Sequence, residues 1–100
     1  MIKHIVMWKL QSEALNATAE ENAAKMKTML EALQGVVPML RRIEVSHDIR
    51  ESDPQCDVLL YSEFDSMEDL KAYAVHPAHL ECVDFIKQVV SERRVVDYAS

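Results

Sequence analysis

Glycine is almost absent from this chain. Gly35 is the only one, and the three prolines stand apart at Pro38, Pro54 and Pro77. That scarcity excludes a flexible linker and any low-complexity tract. Cysteine is scarce too. Cys56 and Cys82 lack CxxC spacing and make no disulfide framework. Each sits among apolar residues, so two buried free thiols are expected, as suits a reducing cytosol. Neither has an activating partner nearby in sequence, which argues against a thiol nucleophile. Positive charge is in deficit, with 11 Lys and Arg against 17 Asp and Glu, a formal net charge of −6. A nucleic-acid surface needs a basic stripe, and none is present. The short pairs Arg41-Arg42 and Arg93-Arg94 lie beside Glu44, Glu92 and Asp97, and read as solvated surface. No apolar run approaches the roughly 20 residues of a membrane span. The apolar N-terminal stretch is interrupted by Lys3, His4 and Lys9 and carries no cleavage site, so a cytoplasmic protein is expected.

What is present is globular: 49% hydrophobic and 28% charged residues over 100 positions. That length and composition predict a single domain spanning 1–100. Residues 2–10 are rich in β-branched and aromatic side chains and predict a strand. Its alternate positions are Ile2, His4, Val6, Trp8 and Leu10 on one face, and Lys3, Ile5, Met7 and Lys9 on the other. Asn16 and Thr18 are candidate caps for a helix over Ala19–Gln34. Ala19, Ala23, Met26, Leu30 and Leu33 form its inward stripe, Glu21 and Lys25 are spaced as a surface pair, and Gly35 suits a left-handed stop. Met39–Ile49 alternates as a half-exposed strand, and Cys56–Phe64 forms the next. Ser66 caps a second helix, which must stop near His76 because the residue before a proline is pushed out of helical geometry. Pro77 opens a third helix running to about Glu92, with Leu80, Val83, Ile86 and Val90 inward. Arg94–Tyr98 closes as a short strand.

The order is β-α-β-β-α-β, the α+β ferredoxin-like arrangement. It predicts a four-stranded antiparallel sheet with helices on one face. The uncovered face would then hold apolar residues from strand 1 and from Leu59 and Tyr61, too large a patch for a monomer. A second copy packed face to face, as a two-fold homodimer, is the simplest cover.

Three stretches carry a family likeness: Lys3-His4-Ile5-Val6-Met7-Trp8-Lys9, Tyr73-Ala74-Val75-His76-Pro77-Ala78-His79, and Val95-Val96-Asp97-Tyr98. Together they resemble the stress-responsive α/β-barrel (Dabb) family over the full length. The resemblance implies a dimeric α+β barrel and a family in which most members have no assigned activity. It also implies one specific chemistry. In a plant branch of cofactor-independent polyketide cyclases, the catalytic tyrosine and histidine correspond to Tyr73 and His79, and histidines also stand at the positions of His4 and His76. A haem or quinone monooxygenase is a further alternative by fold analogy alone.

The corner from Tyr73 to His79 holds two of the four histidines. Closing a carbon ring on a poly-β-ketone needs a base for an acidic α-proton and a donor for the developing oxyanion. His79, in the first turn of the last helix, is the candidate base. Its neutral form is expected to be favoured by the positive helix start. Tyr73 is the candidate donor. His4, His76 and Asp97 are candidate substrate-binding residues, with His76 also serving the turn. No cofactor is expected, and the histidine spacing matches no metal motif. The other reading is a non-enzymatic dimer, a stress-related or ligand-binding module, marked by a closed core with Tyr73 packed and the His-Pro pair a simple turn. The two readings part on one point: whether a cavity opens beside Tyr73 and His79.

Overall fold

The computed structural model describes residues 1–100. Strand β1 (Ile2–Leu10) is followed by a small hairpin, β2 (Glu13–Ala14) and β3 (Ala17–Thr18), then helix α1 (Ala19–Glu31). Strands β4 (Arg42–Ser46) and β5 (Val58–Phe64) come next, then helices α2 (Met67–Ala74) and α3 (Pro77–Val89), and strand β6 (Val90–Ala99). The main sheet has the order β4-β5-β1-β6, antiparallel throughout. This is the ferredoxin-like α+β architecture, with all three helices on one face.

The expected alternation holds in the centre of the sheet. Val6, Trp8 and Leu10 from β1 and Val58, Leu60 and Phe64 from β5 are buried beneath the helices. Helix α1 adds Ala23, Met26 and Leu30, with Leu33 just beyond its end. Thr18 is its cap, in a full capping box with Glu21, which satisfies two otherwise orphaned backbone donors. Glu21 is thereby committed, so the expected surface pair with Lys25 does not form. Lys25 instead lies 4.5 Å above the Phe85 ring and ties α1 to α3.

Several boundaries differ from the sequence expectation. Helix α1 ends at Glu31, and the chain winds through looser turns before Gly35 takes a positive φ of 86°. Strand β4 is half the length expected. Residues 13–18 form a hairpin and not an open loop. Leu15 and Asn16 hold its turn at φ of 53° and 61°, and the buried Asn22 side chain donates to the Ala14 carbonyl. Helix α3 passes directly into β6, because Val90 turns extended and pairs with Leu10. The inward face of α3 is broader than expected: Ile86 is buried and Val83 and Val90 border the cavity, but Cys82, Phe85 and Val89 are buried too, and Leu80 is exposed. A single stripe at helical spacing undercounts the side chains that a helix packed between sheet and neighbouring helices buries.

Both cysteines are free and buried, and burial pushes each thiol up from its ordinary value. That makes them weak nucleophiles. The face of the sheet away from the helices carries Ile5, Met7, Leu59 and Tyr61 at its centre, with Val96 and Tyr98 exposed beside them. No helix is long and apolar enough to cross a membrane.

Candidate functional site

The break between α2 and α3 sets the site. Helix α2 stops at Ala74, and His76 N–H bonds to the Tyr73 carbonyl at 3.1 Å. His76 then caps α3: its Nδ1 accepts from the Ala78 N–H at 3.1 Å, with Pro77 in the first helical position. This spends the ring nitrogen on backbone, and His76 does not line the cavity described next.

A cavity of about 440 Å³ opens between α2, α3 and the inner face of β1 and β6. It lies within the roughly 300–1,000 Å³ typical of small-molecule sites. Of the sequence candidates, Tyr73, His79, His4 and Asp97 all reach it. Apolar side chains supply most of its wall, including Val6, Trp8 and Ile86. Trp8 and the methionines therefore do not fill the space, and the closed-core alternative does not hold.

Tyr73, at the end of α2, is only 1% exposed. Its ring packs 5.0 Å from Phe64 and 4.3 Å from His79, centre to centre. No protein group pairs with its hydroxyl, yet no side-chain polar atom of the chain is both sealed and unpartnered. The hydroxyl therefore opens into the cavity. Burial holds its ionisation far above the ordinary phenol value, so it remains a donor.

His79 is held from the other side. Its Nδ1–H donates to the Ala74 carbonyl at 3.0 Å, which leaves Nε2 as a free acceptor in the neutral ring. Burial pushes its pKa down from 6.5, against the pull of the Ala74 carbonyl, and the charges of His4, Arg93 and His76 push the same way as burial. Its neutrality thus comes chiefly from burial rather than from the helix start. His4 and Asp97 face each other across β1 and β6, as the register requires, and His4 Nδ1–H donates to Asp97 Oδ1 at 2.5 Å. Asp97 so fixes the tautomer that leaves His4 Nε2 unpaired by protein.

Arg93 lies two alternate positions along β6 from Asp97, on the same face, and also lines the cavity. Sequence reading placed it on the solvated surface. Arg93 is indeed exposed, and borders the cavity as well, while its neighbour Arg94 faces outward and reaches Glu92 at 4.0 Å. The period-2 alternation of β6 could have separated the two arginines had the strand been read from Val90. No three His, Cys, Asp or Glu side chains come together as a metal-ligating group.

The sequence matches the profile of the Stress responsive A/B Barrel Domain over residues 2–100. The chain belongs to this family. No curated protein matches it. Among solved structures, it is similar to a dimeric protein of unknown function and ferredoxin-like fold from Bacteroides fragilis, with 33% identity over 97% of this chain and 93% of that one, at a TM-score of 0.81. A dimeric ferredoxin-like protein of unknown function from Thermobifida fusca is 21% identical over 99% and 90% of the two chains, also at 0.81. The hydroxynitrile lyase of Passiflora edulis is 17% identical over 97% and 90%, again at 0.81. The last two likenesses show the fold alone. The fold of this chain is thus also that of a lyase.

Proposed function

We propose that this domain works as a homodimer paired through its open sheet face, and that each cavity binds a small carbonyl compound and moves a proton on it without a cofactor. His79 Nε2 takes the α-proton of the bound carbonyl compound. The Tyr73 hydroxyl donates to the carbonyl oxygen and steadies the enolate. His4, oriented by Asp97, offers a second imidazole nitrogen to the same space. Ring closure on a poly-β-ketone, as in the polyketide cyclases, is one reaction of this type.

One observation carries the reading: a fully packed tyrosine presents an unpaired hydroxyl to an open cavity, against a neutral histidine whose other nitrogen is already anchored. Tyrosine buried for packing alone usually satisfies its hydroxyl. The lyase of Passiflora edulis is a protein of this fold with small-molecule chemistry, which is compatible with the proposal. The dimer is supported by the dimeric Bacteroides fragilis relative and by the apolar centre of the uncovered face.

The test is hydrogen exchange in heavy water at an activated carbon. An alkyl β-keto ester is followed by NMR as its α-proton signal disappears. Wild-type protein is expected to accelerate the loss over buffer, with His79→Ala abolishing the acceleration and Tyr73→Phe reducing it at least tenfold. Acceleration left unchanged in both variants would remove the acid–base roles.

A further inference from the structure

The charge around the cavity is opposite to the charge of the chain. Overall there are 17 acidic residues against 11 basic, for a net charge of −6. The cavity is bordered by Lys71, Lys87 and Arg93, and by a single carboxylate, Asp97, which already accepts from His4. Lys87 also has a partner outside, Asp84 at 3.2 Å. Arg93 and Lys71 have no carboxylate partner. Arginine on a protein with so many acids ordinarily finds one, as Arg41, Arg42, Arg50 and Arg94 do. The register explains why Arg93 does not. It stands opposite Trp8 on the inner face of β6, while the nearby Glu92 points to the outer face with Arg94.

Between Arg93 and the polar pole at Asp97, β6 contributes Val95, and facing it are Val6 from β1 and Val83 and Ile86 from α3. Four residues of extended strand span about 13 Å. The cavity therefore has Arg93 toward one end, an apolar wall, and a proton-transfer pole formed by Tyr73, His79 and His4.

From this arrangement we infer that the cavity selects an amphipathic anion: an apolar chain ending in a carboxylate, held at its head by Arg93. The inference rests on the ligand-cavity reading above and adds the sign of the ligand's charge. Arginine suits the role because its planar guanidinium binds a carboxylate through two parallel hydrogen bonds. The apolar wall takes the chain by burial, which is blind to charge, so the head alone decides between anion, neutral and cation.

Isothermal titration with three probes of equal chain length separates the possibilities: decanoate, 1-decanol and decyltrimethylammonium, each below its micelle concentration. Decanoate is expected to bind at least tenfold more tightly than decanol, and the ammonium more weakly than either. Arg93→Met should erase the advantage of decanoate while leaving decanol affinity within twofold, and Arg93→Lys should keep part of it. Raising the salt should narrow the gap between decanoate and decanol. Val83→Trp, which fills the apolar middle, should abolish decanoate binding. Equal affinity for decanoate and decanol, or preference for the ammonium, would overturn the anion assignment and leave the cavity reading standing. Decanoate binding that survives Val83→Trp would place the probe on the outer surface and overturn the assignment as well. Failure of all three probes to bind would overturn both readings together.

Discussion

At the residue scale, the proposed chemistry depends on how two rings are held. His79 has one nitrogen tied to Ala74 and the other free, and burial keeps it neutral. That has a consequence for stability. The folded chain resists protonating His79, while the unfolded chain takes up a proton near the ordinary value of 6.5. Its contribution is therefore intact above pH 6.5 and is lost as pH falls toward the lower folded value. Urea unfolding between pH 7.5 and 5 should show stability falling with pH, and His79→Gln should flatten that slope. An unchanged slope in the variant would place the titrating group elsewhere. Tyr73 and His79 were legible in sequence as a pair of reactive side chains flanking a helix break. The free hydroxyl was not, because it depends on what the other elements leave empty.

At the scale of elements, the break at His76-Pro77 does the positioning. It ends α2 one residue after Tyr73 and starts α3 so that His79 falls in its first turn. The proline rule located this corner from sequence, since a residue before proline leaves helical geometry whatever surrounds it. The rule did not say what His76 does with its ring. His76→Ala should cost about 1 kcal/mol of stability through loss of the α3 cap, as for other capping side chains. Thermal unfolding checks this, and a change within about 0.3 kcal/mol would argue against the cap. Longer-range facts were less legible. The separation of Arg93 from Arg94 is set by the direct passage of α3 into β6, where tertiary pairing with Leu10 overrides helix propensity at Val90. The β2-β3 hairpin was missed because its turn places Leu15 at positive φ, where glycine or asparagine is the usual signal.

At the scale of the molecule, the sheet divides two tasks. One face carries the helices and the cavity. The other presents Ile5, Met7, Leu59 and Tyr61 without cover. Strand alternation made both faces visible in sequence, since the period of 2 assigns every side chain once the strand is recognised. The proposed pairing of two such faces predicts a particle of twice the 11.5 kDa chain mass. Ile5→Asp should shift it to the single chain mass in light scattering, because a carboxylate there would be buried without a partner. A wild-type particle of single mass would contradict the pairing.

The claim on which the chemistry stands is that a ligand seats against Tyr73 and His79. Solution NMR tests it directly, with decanoate or an alkyl β-keto ester titrated into labelled protein. The expected result is a set of nuclear Overhauser contacts from the Tyr73 and His79 rings and the Val83 methyls to the ligand chain. Saturating ligand that perturbs other surfaces and makes no contact with those three residues would contradict it.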